Sequence, residues 1–194
     1  MFIEKMESFL GLYTKSIFLR ESFLISLGVL FLIALSKISI PLPFTPVPLT
    51  GQTLGIFILA AVWGKGRGAS SLLSYLSLGA LGVPVFAGPK VGLAVFMGPT
   101  VGYLLGFVVV LPLLGKLLEN VKTKSGTKAF LQYFVLFLLA TALILFFGAL
   151  GLSFFIPITK VMALGVSPFI PGGIIKSLVA AGFCGRYYSY TKSI

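Results

Sequence analysis

Histidine and aspartate are absent from these 194 residues, and the only acids are Glu4, Glu7, Glu21 and Glu119. All four glutamates lie at or outside the ends of apolar runs. Histidine general-base chemistry, paired-carboxylate hydrolysis and the common metal-ligand sets therefore lack their residues, so no enzymatic role, catalytic residue or metal site is expected. Proton-coupled transport usually needs an acid or a histidine inside the membrane, and the apolar runs hold neither. Cys184 is the single cysteine. It excludes an intrachain disulfide and, without histidine, a Cys–His nucleophile; a packed, inert thiol is expected. A Walker motif is missing too: Gly64-Lys65-Gly66-Arg67-Gly68 lacks its spacing and its Lys-Ser/Thr end, and reads as a basic cytoplasmic turn.

Charge of either sign is scarce. Charged residues make up 10% of the chain against 58% hydrophobic, with mean hydropathy +1.11, whereas a soluble domain carries about 25% charged residues. The chain reads as an integral membrane protein. The alternating, turn-rich pattern of an outer-membrane barrel is absent. The first apolar run is too long for a removable signal peptide and has no small-x-small cleavage site. At roughly 20 residues per transmembrane helix, residues 1–194 make one all-α membrane domain of six helices. The runs are 18–38, 50–64, 67–84, 97–118, 129–151 and 169–189. The second and third are short, as expected of tilted or shielded segments.

The basic residues order these runs across the bilayer. With a cytoplasmic N-terminus, the inner segments carry Lys5, Lys15, Arg20, Lys65, Arg67, Lys116, Lys122, Lys124, Lys128, Arg186 and Lys192, and the outer loops carry only Lys90 and Lys160. This asymmetry is the positive-inside pattern. It supports an even number of crossings, both termini in the cytoplasm and a cell (plasma or inner) membrane location. The net charge of +11 alternates with the apolar runs, so it belongs to topology and lipid contact and implies no nucleic-acid partner.

What is present is concentrated on the outer side. Pro41, Pro43, Pro46 and Pro48 fall within eight residues between two apolar runs. Proline removes a backbone donor and keeps the preceding residue out of the helical region. Irregular backbone cannot face lipid, so this loop lies at the surface or folds over a protein cavity. An apolar, stiff segment reads as a lid over a site, with a rigid connection as the plainer alternative. The second, fourth and sixth runs begin at this face, with Leu49-Thr50-Gly51-Gln52-Thr53, Met97-Gly98-Pro99-Thr100 and Phe169-Ile170-Pro171-Gly172-Gly173. Their free N–H groups form an anion-attracting rim or are ordinary caps.

Lys176 lies five residues after Pro171, roughly 8 Å into the last run at 1.5 Å per residue. An intramembrane lysine marks a functional site unless it snorkels to the headgroups, and with no acid nearby a substrate anion is its natural counter-charge. Lys37, near the outer end of the first run, reads as snorkelling. Gly79, Gly82, Gly88, Gly92, Gly98, Gly102 and Gly106 suggest close helix approach. Tyr75, Phe86 and Tyr103 in the same region read individually as core or interfacial aromatics.

Ile38-Ser39-Ile40-Pro41-Leu42-Pro43-Phe44-Thr45-Pro46-Val47-Pro48-Leu49-Thr50-Gly51-Gln52-Thr53-Leu54-Gly55 resembles the signature of the BioY family. These are the biotin-specific substrate-binding (S) components of energy-coupling factor (ECF) transporters. Further matches are Tyr75, the segment from Leu78 to Gly88, Gly98-Pro99-Thr100-Val101-Gly102-Tyr103-Leu104-Leu105-Gly106-Phe107 and Pro171-Gly172-Gly173-Ile174-Ile175-Lys176, so the resemblance covers about Ile38 to Ala181. It implies a six-helix protein that binds biotin from outside under the first loop. The ligand then passes inward with a membrane coupling protein and two ATPase subunits. Biotin is substrate, no cofactor is implied, and ATP is used only by the partners. Some members of the family are reported to transport without that module, so a self-sufficient facilitator of biotin or a related carboxylated molecule is the alternative. A purely structural membrane scaffold would leave Lys176 and the apolar loop without a role.

The implied ligand residues are Phe44, Thr50, Gln52, Tyr75, Phe86, Met97, Thr100, Tyr103, Gly173 and Lys176. Biotin offers a carboxylate to Lys176 and the helix ends, and a ureido ring to Gln52, Thr50 or Thr100. Its apolar body suits Phe44, Phe86, Met97 and Tyr103. The family usually has Asp where this chain has Gly173, Gln in place of Lys37 and Gly in place of Val101. The lost acid is read either as compensated, through Lys37, or as a drift in affinity or ligand choice.

The charge asymmetry gives a first prediction. Cysteines introduced into the 122–128 loop will be labelled by impermeant thiol reagents only from the cytoplasmic side, and cysteines beside Lys90 or Lys160 only from outside. Opposite labelling would move the proposed site to the other face.

Overall fold

The computed structural model describes residues 17–121 and 126–192. Lys5, Lys15, Lys122, Lys124, Glu4 and Glu7, used above for topology and charge, lie outside the described residues. Helix α1 spans Ile17–Lys37, α2 Gln52–Ala80, α3 Val101–Glu119 and α4 Thr127–Leu152. A short α5, Ile158–Val161, continues through a π-helical turn at Met162–Val166 and a 3-10 turn at Ser167–Phe169 into α6, Ile170–Lys192. The described chain is thus chiefly helical, and four stretches are long and apolar enough to cross a membrane: Phe18–Lys37, Val101–Glu119, Thr127–Leu152 and Ile158–Tyr188. Together with the composition they make this a multi-pass membrane protein.

The proline segment behaves as proline chemistry requires. After α1 the chain extends into β1, Ser39–Ile40, which pairs antiparallel with β2, Leu49–Thr50, with Ser39 opposite Thr50 and Ile40 opposite Leu49. Ile40 precedes Pro41 and is thereby biased to extended geometry. The amide of Gly51 donates to the carbonyl of Ile38 at 2.8 Å and closes the base of this arm.

α2 holds the bundle together, packing on α1, α3 and α6, while α4 packs on α3 and α6. Ile56, Phe57, Leu59, Tyr75, Leu111, Tyr133 and Phe137 are buried in this interior. Leu30, Leu105, Leu139 and Ile175 stay exposed, as suits side chains whose solvent is lipid. The expected runs 50–64 and 67–84 are joined in one element. Helical geometry is lost at Gly64 alone (φ 68, ψ −170), a conformation open to a residue without Cβ. The expected basic turn therefore shrinks to a single joint, with Lys65 to Gly68 already helical. This joint lies twelve residues beyond Gln52, roughly 18 Å along the helix. Around it the Trp63 indole donates to the Leu24 carbonyl at 3.1 Å, the Arg67 guanidinium forks onto Glu21 at 2.7 and 2.6 Å, and Lys65 stands 4.0 Å from Glu119.

Two further boundaries differ from expectation. α3 begins at Val101 rather than at 97, because Gly98-Pro99-Thr100 forms a turn after a 3-10 segment at Gly92–Val95. The connection before α6 is α5 with its π turn rather than a plain loop. The glycine cluster also divides. Gly102 and Gly106 do bring helices together: a Cβ on Gly102 would lie 2.3 Å from the Phe147 carbonyl and 2.8 Å from the Gly151 Cα. Gly79 instead leaves room for an aromatic ring, since a Cβ there would lie 2.2 Å from the Phe86 ring.

The Gly102–Gly151 contact predicts that Gly102→Val, which must pry α3 from α4, lowers stability by about 2–3 kcal/mol in detergent unfolding experiments. Leu105→Val, on the exposed side of the same helix, will stay within about 0.5 kcal/mol of the parent.

Candidate functional site

The β1–β2 arm and the connection between α2 and α3 fold toward the same ends of α2, α3 and α6. Between them lies a cavity of about 330 Å³, within the usual range for small-molecule sites of about 300–1,000 Å³. Pro41, Leu42, Thr45, Pro46 and Val47 cover one side, and Phe86, Pro89, Lys90 and Val95 another. The floor is helical: Gln52 and Thr53 from α2, Tyr103 and Phe107 from α3, Thr141 and Ile144 from α4, Phe169 from the 3-10 turn and Gly173 and Lys176 from the start of α6. All three helix starts singled out in the sequence border it. Gly51 and Thr100, at the caps of α2 and α3, make no side-chain capping bond.

Each polar group at the site has a traceable reason for its position. The Lys176 ammonium donates to the Thr50 carbonyl at 2.7 Å, tying α6 to the end of the proline arm. The Thr50 hydroxyl donates to Gln52 Oε1 at 3.1 Å, and Gln52 Nε2 donates to the Tyr75 hydroxyl at 2.7 Å. Tyr75 donates onward to the Val85 carbonyl at 3.3 Å, which also accepts from Ser36. Lys37 donates to the Phe86 carbonyl at 2.9 Å. The second loop is thereby fastened to α1 and α2 through two adjacent carbonyls. Phe86 meets Tyr75 edge-on with centroids 5.3 Å apart, a favoured aromatic geometry. In the proline arm Thr45 Oγ1 accepts from the Val47 amide at 3.3 Å, and Val47 is buried, 4% exposed.

The electrostatics are one-sided. Lys176 lies in the wall and the exposed Lys90 at the rim, and among the described residues no acid lines the cavity. Among the described residues the acids are Glu21 and Glu119, both near the Gly64 joint with Arg67 and Lys65. The arrangement suits an anionic group at one end of a mostly apolar molecule.

Of the ten residues selected from the sequence, the structure gathers Thr50, Gln52, Phe86, Thr100, Tyr103, Gly173 and Lys176 around the cavity. Tyr75 is 1% exposed and lies behind the wall, touching the site through Gln52 and the Phe86 ring. Phe44 and Met97, 55% and 76% exposed, stand off the cavity lining. Lys37 is off it as well and is spent on the Phe86 carbonyl. Sequence reasoning passed over Val47, Phe107 and Thr141. Phe107 follows Tyr103 by four residues and so shares its helix face. Thr141 is the one hydroxyl-bearing residue between Phe134 and Leu152, a polar exception in a lipid-length run that could have been noticed.

The chain and its fold have counterparts among known proteins. The BioY family matches residues 6–192. The biotin transporter BioY of Rhizobium etli is 34% identical over 170 residues, covering 84% of this chain and 89% of that one. The biotin transporter BioY of Thermotoga maritima is 35% identical over 143 residues, 73% of this chain and 81% of that one. A crystal structure of the S-component for biotin from an ECF-type ABC transporter is similar with a TM-score of 0.79, covering 91% of this chain and 94% of that chain at 28% identity. The chain belongs to the BioY family.

Proposed function

We propose that this chain is the membrane-embedded biotin-binding subunit of an ECF-type transporter. It takes biotin from the outer face and hands it inward with a separate coupling protein and ATPase subunits. The observation that carries the reading is Lys176, set in the wall of a mostly apolar cavity that no acid lines. A neutral carbonyl is a weak partner for a desolvated ammonium. A ligand carboxylate would take its place with a charge-assisted bond. The bicyclic body then lies among Val47, Phe86, Tyr103 and Phe169, and the ureido ring meets Gln52 and Thr100. Tyr75 fixes the Gln52 amide in this scheme. Phe44 and Met97 are assigned no direct contact.

In this reading the proline arm is the lid. It borders the cavity from Pro41 to Thr50, and its end is tied to Lys176, so the group that would hold the ligand also holds the lid. Six crossings follow if the Gly64 joint separates two membrane segments within α2, turning the chain at the level where the Glu21–Arg67 pair sits. That end then faces the cytoplasm, as do both termini, in the plasma membrane. Mass spectrometry of small molecules released from the purified protein tests the ligand directly, with biotin expected. Uptake into liposomes with and without the coupling module tests the partnership. Uptake by the chain alone would assign it as a facilitator.

Two predictions follow the ligand. Lys176→Met will weaken biotin binding by about 1.5–3 kcal/mol in calorimetric titration, the scale of a charge-assisted hydrogen bond. Biotin amide will lose comparably against biotin in the parent and little further in the variant. Equal biotin affinity in parent and variant would remove the anion site. Replacing Pro43 and Pro46 by Gly frees the arm before closure, so more order is lost on binding. Biotin will then dissociate faster in filter-binding chases, whereas an unchanged dissociation rate would reduce the arm to a passive connector.

A further inference from the structure

We propose that Thr141 reads the ligand. Its hydroxyl oxygen accepts a hydrogen bond from a ligand N–H, and the bare backbone of Gly173 is what allows it to stand at the cavity wall. This rests on the biotin-binding reading above and assigns one polar contact within it. Thr141 borders the cavity although only 8% exposed. Across the α4–α6 contact, a Cβ on Gly173 would come within 2.6 Å of Thr141 Cγ2 and 3.8 Å of Oγ1. The threonine thus fills the space that a side chain at 173 would need. It does so one turn from Lys176, which shares that helix face at i+3, while the lysine stem carries its ammonium away to Thr50.

The disposition of protons gives the hydroxyl its chemistry. Ser177 Oγ donates to the Gly173 carbonyl at 2.8 Å, and Thr141 Oγ1 donates to the Phe137 carbonyl at 2.9 Å, with the two oxygens 3.3 Å apart. Either hydroxyl could donate to the other, but each has a nearer backbone carbonyl, and with both protons on those carbonyls each oxygen keeps acceptor capacity. Ser177 is fully buried, and Thr141 is the member of the pair that borders the cavity. In that disposition a ligand carbonyl finds no proton there, whereas an N–H finds an acceptor. Gln52 Oε1 already accepts from Thr50, and no carboxylate lines the cavity. A ureide N–H is therefore the group that Thr141 suits.

The test uses the purified full chain in detergent, titrated with biotin and with biotin methylated on both ureido nitrogens. Thr141→Val keeps the shape and strands no donor, because Ser177 still has the Gly173 carbonyl. It should melt close to the parent, bind biotin about tenfold more weakly and lose the parent's discrimination against the methylated compound. Its biotin-to-biotin-amide ratio should stay as in the parent. Thr141→Ser retains the hydroxyl and should bind as the parent does. Gly173→Ala should weaken binding by driving a methyl into Thr141 Cγ2, and adding Thr141→Ser should restore it. Parent-like biotin affinity in Thr141→Val, or undiminished discrimination against the methylated compound, would overturn the proposal while leaving the biotin reading standing. Parent-like binding by Gly173→Ala would overturn the role given to Gly173. A parent protein that binds no biotin would overturn both readings together.

Discussion

Within a bilayer a backbone N–H or C=O that leaves a helix finds no water, so the protein must supply its partner. Two irregular stretches of the described chain, residues 38–51 and 81–100, are arranged by that constraint. The first closes on itself through the Ile38–Gly51 bond and the short β1–β2 pairing, and is then tied to α6 by Lys176. The second is fastened where the carbonyls of Val85 and Phe86 accept from Ser36, Tyr75 and Lys37. Each anchor crosses from a helix to a loop. The cavity exists because two loops that cannot face lipid are folded over the ends of the same helices.

Charge follows the same economy. The carboxylates of Glu21 and Glu119 meet bases near the Gly64 joint, and the cavity, at the start of α2, is lined by lysines as its charged residues. A half-buried ammonium whose partner is a carbonyl is costly to maintain, which accords with the carboxylate ligand proposed for it. Lys37 shows that position in the sequence does not fix a role. It lies near the same end of the protein, yet its ammonium is engaged outside the cavity lining, where it holds the loop that carries Phe86.

Close helix approach gives the floor of the cavity its shape. Where Gly102 meets Gly151, the α3 and α4 backbones are nearly in contact, and Tyr103, the next residue on α3, packs near Phe169 with ring centroids 5.8 Å apart. The Tyr103 hydroxyl donates to the Gly165 carbonyl in the π turn, joining α3 to the segment that leads into α6. In lipid, where burying apolar surface between helices gains little, such close packing and interhelical hydrogen bonds carry the association.

The sequence by itself determined the membrane class, the lack of histidine and aspartate, the irregular proline segment and the separation of Lys176 from the acids. These depend on residue inventory and on local rules of proline and hydropathy, which need no partner to act. Seven of the ten residues implied by the family resemblance border one cavity in the structure; the motifs that carry the resemblance fall at helix starts and loops, where sequence signals are local. Tertiary structure alone decided the rest. Phe44 and Met97 are as apolar as Phe86, and only the path of each loop determines which ring borders the cavity. Gly79 and Gly102 are alike in sequence, yet one accommodates a ring and the other a helix. Thr141 reaches the cavity wall because α4 crosses α6 at a residue without a side chain, a coincidence between positions 32 residues apart in the chain. Such contacts are set by packing across distant segments, and no local pattern encodes them.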